Sequence, residues 1–286
     1  MRWSGRRESG NVEDRRGMGP RMAVGGGGLG LVILVVALLL GKNPTDVINN
    51  LGTQTQTQQV PGGPVESSPH EEEQKQFVSV VLADTEDIWG KLFSDAGETY
   101  RQPKVVLFTG QVESACGLAS AASGPFYCPG DENVYLDLSF FDELSQRFGA
   151  KGDFAAAYVI AHEVGHHVQK QLGITAKIDA MRGRVSEKEY NEMSVRLELQ
   201  ADFLAGVFAH YEQQTNHVIE AGDIEEALNA ASSIGDDRLQ KMSQGYVVPD
   251  AFTHGTSAQR VEWFKKGFET GDMTQGDTFS IDYRDL

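Results

Sequence analysis

The pattern of apolar and polar positions divides the chain into four stretches. From Met1 to Arg21, "MRWSGRRESGNVEDRRGMGPR" mixes arginine, glycine and acidic residues with no apolar period, which predicts an extended segment. "MAVGGGGLGLVILVVALLLG", residues 22–41, then carries no charge. It is long enough to cross a bilayer core as a helix, which takes about 20 residues. Residues 42–73, including "NNLGTQTQTQQVPGGPVESSPHEEE", are rich in Gln, Thr, Gly and Pro with nothing to bury, and read as a linker. A globular domain is expected from 74 to 286.

Within that domain the period changes several times. Phe77, Val80, Val81, Ile88, Leu92 and Phe93 fall at helical spacing. "KVVLFTG" reads as a buried strand. "NVYLDLSFFDEL" reads as a second strand, alternating at Val134, Leu136 and Leu138, and runs into a short helix. Helices are expected over 153–172 with Asp153 and Gly173 as its caps, from Ser186 through a capping box with Glu189, from Asp223 through a second box with Glu226, and over 257–268. The expected fold is therefore α+β, mostly helical with a small sheet, preceded by one transmembrane helix.

Charge narrows the function. The chain has 286 residues and a formal net charge of -16, so it lacks the basic face that nucleic acid requires. Arginines 2, 6, 7, 15, 16 and 21 precede the apolar run. Under the positive-inside rule they place a basic N-terminus in the cytoplasm and the domain outside it, periplasmic or extracellular. No small-residue cleavage site follows the run, which favours a single-pass cell-membrane anchor over a removed signal peptide. There are two cysteines, Cys116 and Cys128, and no zinc-ribbon spacing. In an exported domain they read as one disulfide closing a short loop, with two free thiols as the alternative.

The chemistry concentrates in "AAAYVIAHEVGHHVQKQLG". Residues four apart on a helix differ by about 40° around the axis, so His162 and His166 can direct one imidazole each at a single ion. Neutral imidazole suits zinc, and a catalytic zinc takes three protein ligands and leaves one position for water. Glu163 stands beside that open position as general base. The third ligand is expected in "RLELQADFLAG". There Glu198 and Asp202 are one turn apart among apolar neighbours, and buried carboxylates need partners. Glu198 is assigned to the metal, and Asp202 to the hydrogen bond that fixes a ligand histidine's tautomer. His167 lies about 100° round the helix from His166 and reads as a flank residue.

HExxH followed by Glu-x-x-x-Asp on a later helix resembles the gluzincin peptidases, and in particular the HtpX-type membrane zinc proteases. "THGTSAQRVEWF" adds to that likeness. Nearly the full chain is similar to the YpfJ-type neutral zinc metallopeptidases, through "MRWSGRRESGNVEDRRG", the glycine-rich apolar run, "ACGLASAASGPFYCPGDENVYLDLSFFDEL", the HEVGHH helix and "LELQADFLAGVFAH". The resemblance implies a zincin-like fold, a bound zinc ion (Zn2+) and a protein or peptide substrate. It also implies that His254 donates to the oxyanion and that Arg260 holds a carboxylate such as Asp202, or contacts substrate.

Two readings of residues 133–138 stay open: an edge strand that pairs with extended substrate, or an ordinary core strand. The favoured activity is a membrane-anchored zinc endopeptidase. The rival is a catalytically silent zincin-fold binding or regulatory protein.

Overall fold

In the computed structural model, which describes residues 1–17 and 67–286, the expected strands pair as one sheet against a layer of helices. β1 (Val12–Asp14), β2 (Lys104–Phe108), β5 (Phe126–Cys128) and β6 (Asn133–Asp137) are ordered β1-β2-β6-β5. The first two pairings are parallel and β5 is antiparallel to β6. Val105 pairs with Val134 and Leu107 with Leu136. These four join the main helical core, while Val106, Phe108 and Tyr135 face a second cluster with Cys128 and Val112. Val112 belongs to a hairpin, β3 (Gln111–Ser114) and β4 (Gly117–Ser120). Alternation along the strands thus supplies two apolar faces at once. β6 lies inside the sheet, so the edge-strand reading of residues 133–138 is corrected: among the described residues the antiparallel edge strand is β5.

The helical layer begins with α1 (Pro69–Asp95), earlier than the sequence reading expects. Ser68 and Glu71 form a capping box with Pro69 in the first turn, a start signal that lies inside the supposed linker. There follow α2 (Ser139–Gln146), α3 (Asp153–Gln171), α4 (Ile174–Asp179), α5 (Glu187–Tyr211), α6 (Asp223–Ser233), α7 (Asp236–Gln244) and α8 (Ser257–Thr270). The Ser186–Glu189 box caps α5 as expected. Two other expected caps are replaced by long-range contacts. Gly152 and Gly222 occupy the N-cap positions of α3 and α6. Glu226 then reaches across to the backbone N–H of Phe154 at 3.1 Å, and Asp153 accepts from Trp3 Nε1 at 2.9 Å.

Glycines set the spacing of the three helices that matter for the site. A Cβ on Gly165 of α3 would stand 3.1 Å from the carbonyl of Ala201 on α5. One on Gly206 of α5 would land on the carbonyl of Phe264, and one on Gly267 of α8 on that of Phe203. Bare backbone at these contacts lets α3, α5 and α8 pack at close range.

The N-terminal reading also needs correction. Residues 1–16 belong to the same compact unit as residues 67–286. β1 adds to the sheet beside β2. Arg6 Nη1 lies 2.7 Å from both Asp84 and Glu212, Arg7 donates to the Ala83 carbonyl at 2.7 Å, and Arg16 is 2% exposed between Asp14 and Glu72. Of the arginines that look like a topology signal, Arg6, Arg7 and Arg16 are paired with acidic groups of the domain. The apolar run 22–41 lies outside the described residues. Among the described residues no helix is long and apolar enough to cross a membrane.

Candidate metal centre

His162 and His166 lie on α3 and Glu198 lies on α5, where Gly165 allows the two helices to approach. His162 Nε2 is 3.1 Å from Glu198 Oε2 and His166 Nε2 is 3.5 Å from Glu198 Oε1. One ligand atom from each of the three residues falls within 4.8 Å of the others. Atoms bound about 2.0–2.1 Å from a tetrahedral zinc stand about 3.3–3.4 Å apart. The two His–Glu separations bracket that value, through different oxygens of Glu198, and the His-His-Glu donor set is one that suits a zinc ion with one position left open.

The outer nitrogens of both imidazoles are occupied. His162 Nδ1–H donates to Asp202 Oδ1 at 2.8 Å. Asp202 is fully buried, and it also accepts from Arg260 Nε at 2.8 Å, Arg260 Nη2 at 3.0 Å and the Tyr158 hydroxyl. His166 Nδ1 meets Gln169 Oε1 at 2.9 Å. Burial alone would lower the His162 pKa, but Asp202 and Glu198 outweigh it and push the imidazole up to about 10. Burial likewise disfavours the Glu198 carboxylate, yet His166 and His162 hold it well below the usual range. Glu198 thus draws protons onto the two imidazoles, and a metal must displace them to bind there.

Tyr158, His162, His166, Glu198 and Arg260 line a cleft of about 530 Å³. Glu163 lines it too, as does His254 from the loop between α7 and α8. Asp236, at the start of α7, organises that loop. Its Oδ2 accepts the backbone N–H of Thr253, His254 and Gly255 at 2.6, 2.6 and 3.2 Å. Its Oδ1 lies 3.2 Å from His254 Nδ1. Burial opposes the charged form of His254, but Asp236 and Glu198 raise its pKa. The segment Ala121–Tyr127 also lines the cleft. It is tied down at both ends by the Cys116–Cys128 disulfide, with a Cα–Cα distance of 5.8 Å.

The sequence matches the family described as "putative neutral zinc metallopeptidase" over residues 1–279. The chain belongs to this family. It is similar to the uncharacterized protein YpfJ of Escherichia coli (strain K12), with 52% identity across 98% of this chain and 99% of the relative. It is also similar to the uncharacterized protein Rv2575 of Mycobacterium tuberculosis (strain ATCC 25618 / H37Rv), with 39% identity across 85% of each chain. No solved structure matches it. Family membership supports a zinc peptidase in general.

The structure thus gathers His162, Glu163, His166, Glu198, Asp202, Arg260 and His254 around one cleft. It leaves His167 out of the ligand set. That ring is buried, donating from Nε2 to the Arg101 carbonyl at 2.6 Å and accepting at Nδ1 from the Tyr127 hydroxyl at 3.0 Å. Sequence reasoning missed three members. Tyr158 and Gln169 were within reach, since they sit one turn from His162 and His166 on the same helix. Asp236 carries no local signal, because only the tertiary fold brings it under residues 253–255.

Proposed function

We propose that this protein is a zinc-dependent endopeptidase. The observation that carries the reading is the convergence of His162, His166 and Glu198 within 4.8 Å, in the cleft that Glu163 lines. Zinc, when held by these three residues, supplies a Lewis acid that polarises a carbonyl and acidifies water. Glu163 receives the proton of the attacking water and returns it to the leaving amine. His254, kept in register by Asp236, donates to the oxyanion as charge develops there. Asp202 and Arg260 hold His162 in the tautomer that leaves Nε2 free for the metal. No covalent enzyme intermediate is needed.

The substrate is an extended peptide or protein segment. β5 supports this, since among the described residues it is an edge strand of the sheet and its residues Phe126 and Tyr127 line the cleft. The disulfide supports an oxidising compartment for the domain. Residues 1–16 share that compartment, because they are part of the same folded unit. A single membrane crossing between them and residue 67 would separate the two and is not part of this reading.

The test is zinc content together with casein or peptide hydrolysis. Glu163→Gln is expected to keep zinc and lose at least ~100-fold in rate, the lower end for a general acid–base group. Glu198→Ala is expected to lose zinc. Zinc uptake by a wild-type chain that cleaves no peptide would favour the binding or regulatory reading instead.

A further inference from the structure

We propose that Gln169 is a positioning residue for the metal ligand His166, and that two backbone carbonyls outside the cleft decide which nitrogen of that ligand carries its proton. The inference rests on the zinc reading above. Gln169 is fully buried and Gln200 is 8% exposed, so neither amide can turn to water for a missing partner.

The direction of each bond follows from its ends. The Gly276 carbonyl can only accept, so the amide nitrogen of Gln200 faces it, at 2.8 Å. Gln200 Oε1 must then point the other way, where Gln169 Nε2 donates to it at 3.1 Å. The same nitrogen donates to the Leu197 carbonyl at 2.7 Å, which also can only accept. Both donors of Gln169 are thereby used, and only its oxygen is left for His166. At 2.9 Å from that oxygen, His166 Nδ1 must carry a hydrogen. The lone pair is left on Nε2, the nitrogen that faces Glu198.

The two ligand histidines are therefore oriented by different chemistry. His162 is held by a charged group, Asp202 with Arg260 behind it. His166 is held by a chain of neutral amides. That chain crosses from α3 to α5, at Leu197 and Gln200, and ends on the segment that follows α8. It couples the orientation of a ligand on α3 to the placement of α5, the helix that supplies Glu198.

The experiment uses the full-length chain loaded with zinc, with affinity measured by chelator competition and the imidazole N–H protons followed by NMR. Gln169→Leu is expected to weaken zinc binding by about tenfold to a hundredfold. The His166 Nδ1–H signal should lose its protection from solvent exchange. His162 Nδ1–H, held by Asp202, should keep its own, which separates loss of orientation from general loosening. Gln200→Leu frees the Gln169 amide to turn without touching the ligand, and should give the same pattern with a smaller loss. It also serves if Gln169→Leu does not fold. Unchanged affinity or an unchanged His166 Nδ1–H signal in a folded variant would overturn the role of Gln169 alone. A folded wild-type chain that takes up no zinc would overturn the metal reading, and this inference with it.

Discussion

Asp202 touches three side chains at once: His162, Arg260 and Tyr158. Its carboxylate and the Arg260 guanidinium are 0% and 2% exposed, so neither charge has water to fall back on. Removing one partner of such a pair leaves the other buried and uncompensated, at a cost of about 3–5 kcal/mol. Asp202→Asn and Arg260→Met should each lose that order of stability in urea unfolding. The double variant should lose less than the sum, because the stranded charge is gone. Additive losses would mean that the two do not act as a pair. The local part of this site was legible in the sequence: His162, Glu163 and His166 share one helical turn, and the apolar neighbours of Glu198 and Asp202 signalled burial. Tyr158 and Gln169 follow from the same helical geometry once the question is which groups hold the imidazoles. Asp236 does not, because its partners come from the loop on the far side of α7.

At the scale of elements, the period of the apolar residues located α1, α2, α3, α5, α6, α8 and the two central strands, but not the short helices α4 and α7. It misplaced caps wherever a long-range contact took over, as Glu226 does at the start of α3. It also missed the role of the first sixteen residues. An arm with no apolar period has no core face to reveal, and its attachment combines ion pairs, a strand ladder and the contacts of Trp3, whose partners are far away in sequence. Arg6 stands between two buried carboxylates, Asp84 and Glu212, at 2.7 Å from each. One guanidinium cannot neutralise both. Burial and the neighbouring Glu212 accordingly push the Asp84 carboxyl up to about 8, against the pull of Arg6. In the unfolded chain this group ionises near pH ~4, so folding takes up a proton between those values. Its contribution to stability is full below pH ~4 and is lost as pH rises towards about 8. The melting temperature of Asp84→Asn relative to wild type should therefore climb between pH 5 and pH 9. A difference that stays flat or falls across that range would show that Asp84 is ionised throughout.

For the whole molecule, charge counting and folding give opposite topologies. The positive-inside rule treats the six N-terminal arginines as free charges held back in the cytoplasm. In the folded unit, Arg6, Arg7 and Arg16 are partners of Asp84, Glu86, Asp14 and Glu72, and β1 is paired with β2. A chain cannot make these contacts with a bilayer between the two halves. We therefore predict that residues 1–16 and the metal centre lie on the same side of any membrane the protein meets. Ser4 and Ser243 are both exposed, and the two native cysteines are consumed in the disulfide, so a single introduced thiol reports without background. Ser4→Cys and Ser243→Cys, made in separate chains, should react alike with a membrane-impermeant thiol reagent in intact cells. Lysis should change both or neither. Opposite behaviour would mean that the arm leaves the domain in the cell, and that the ion pairs of Arg6, Arg7 and Arg16 form only when the two are not held apart by a membrane.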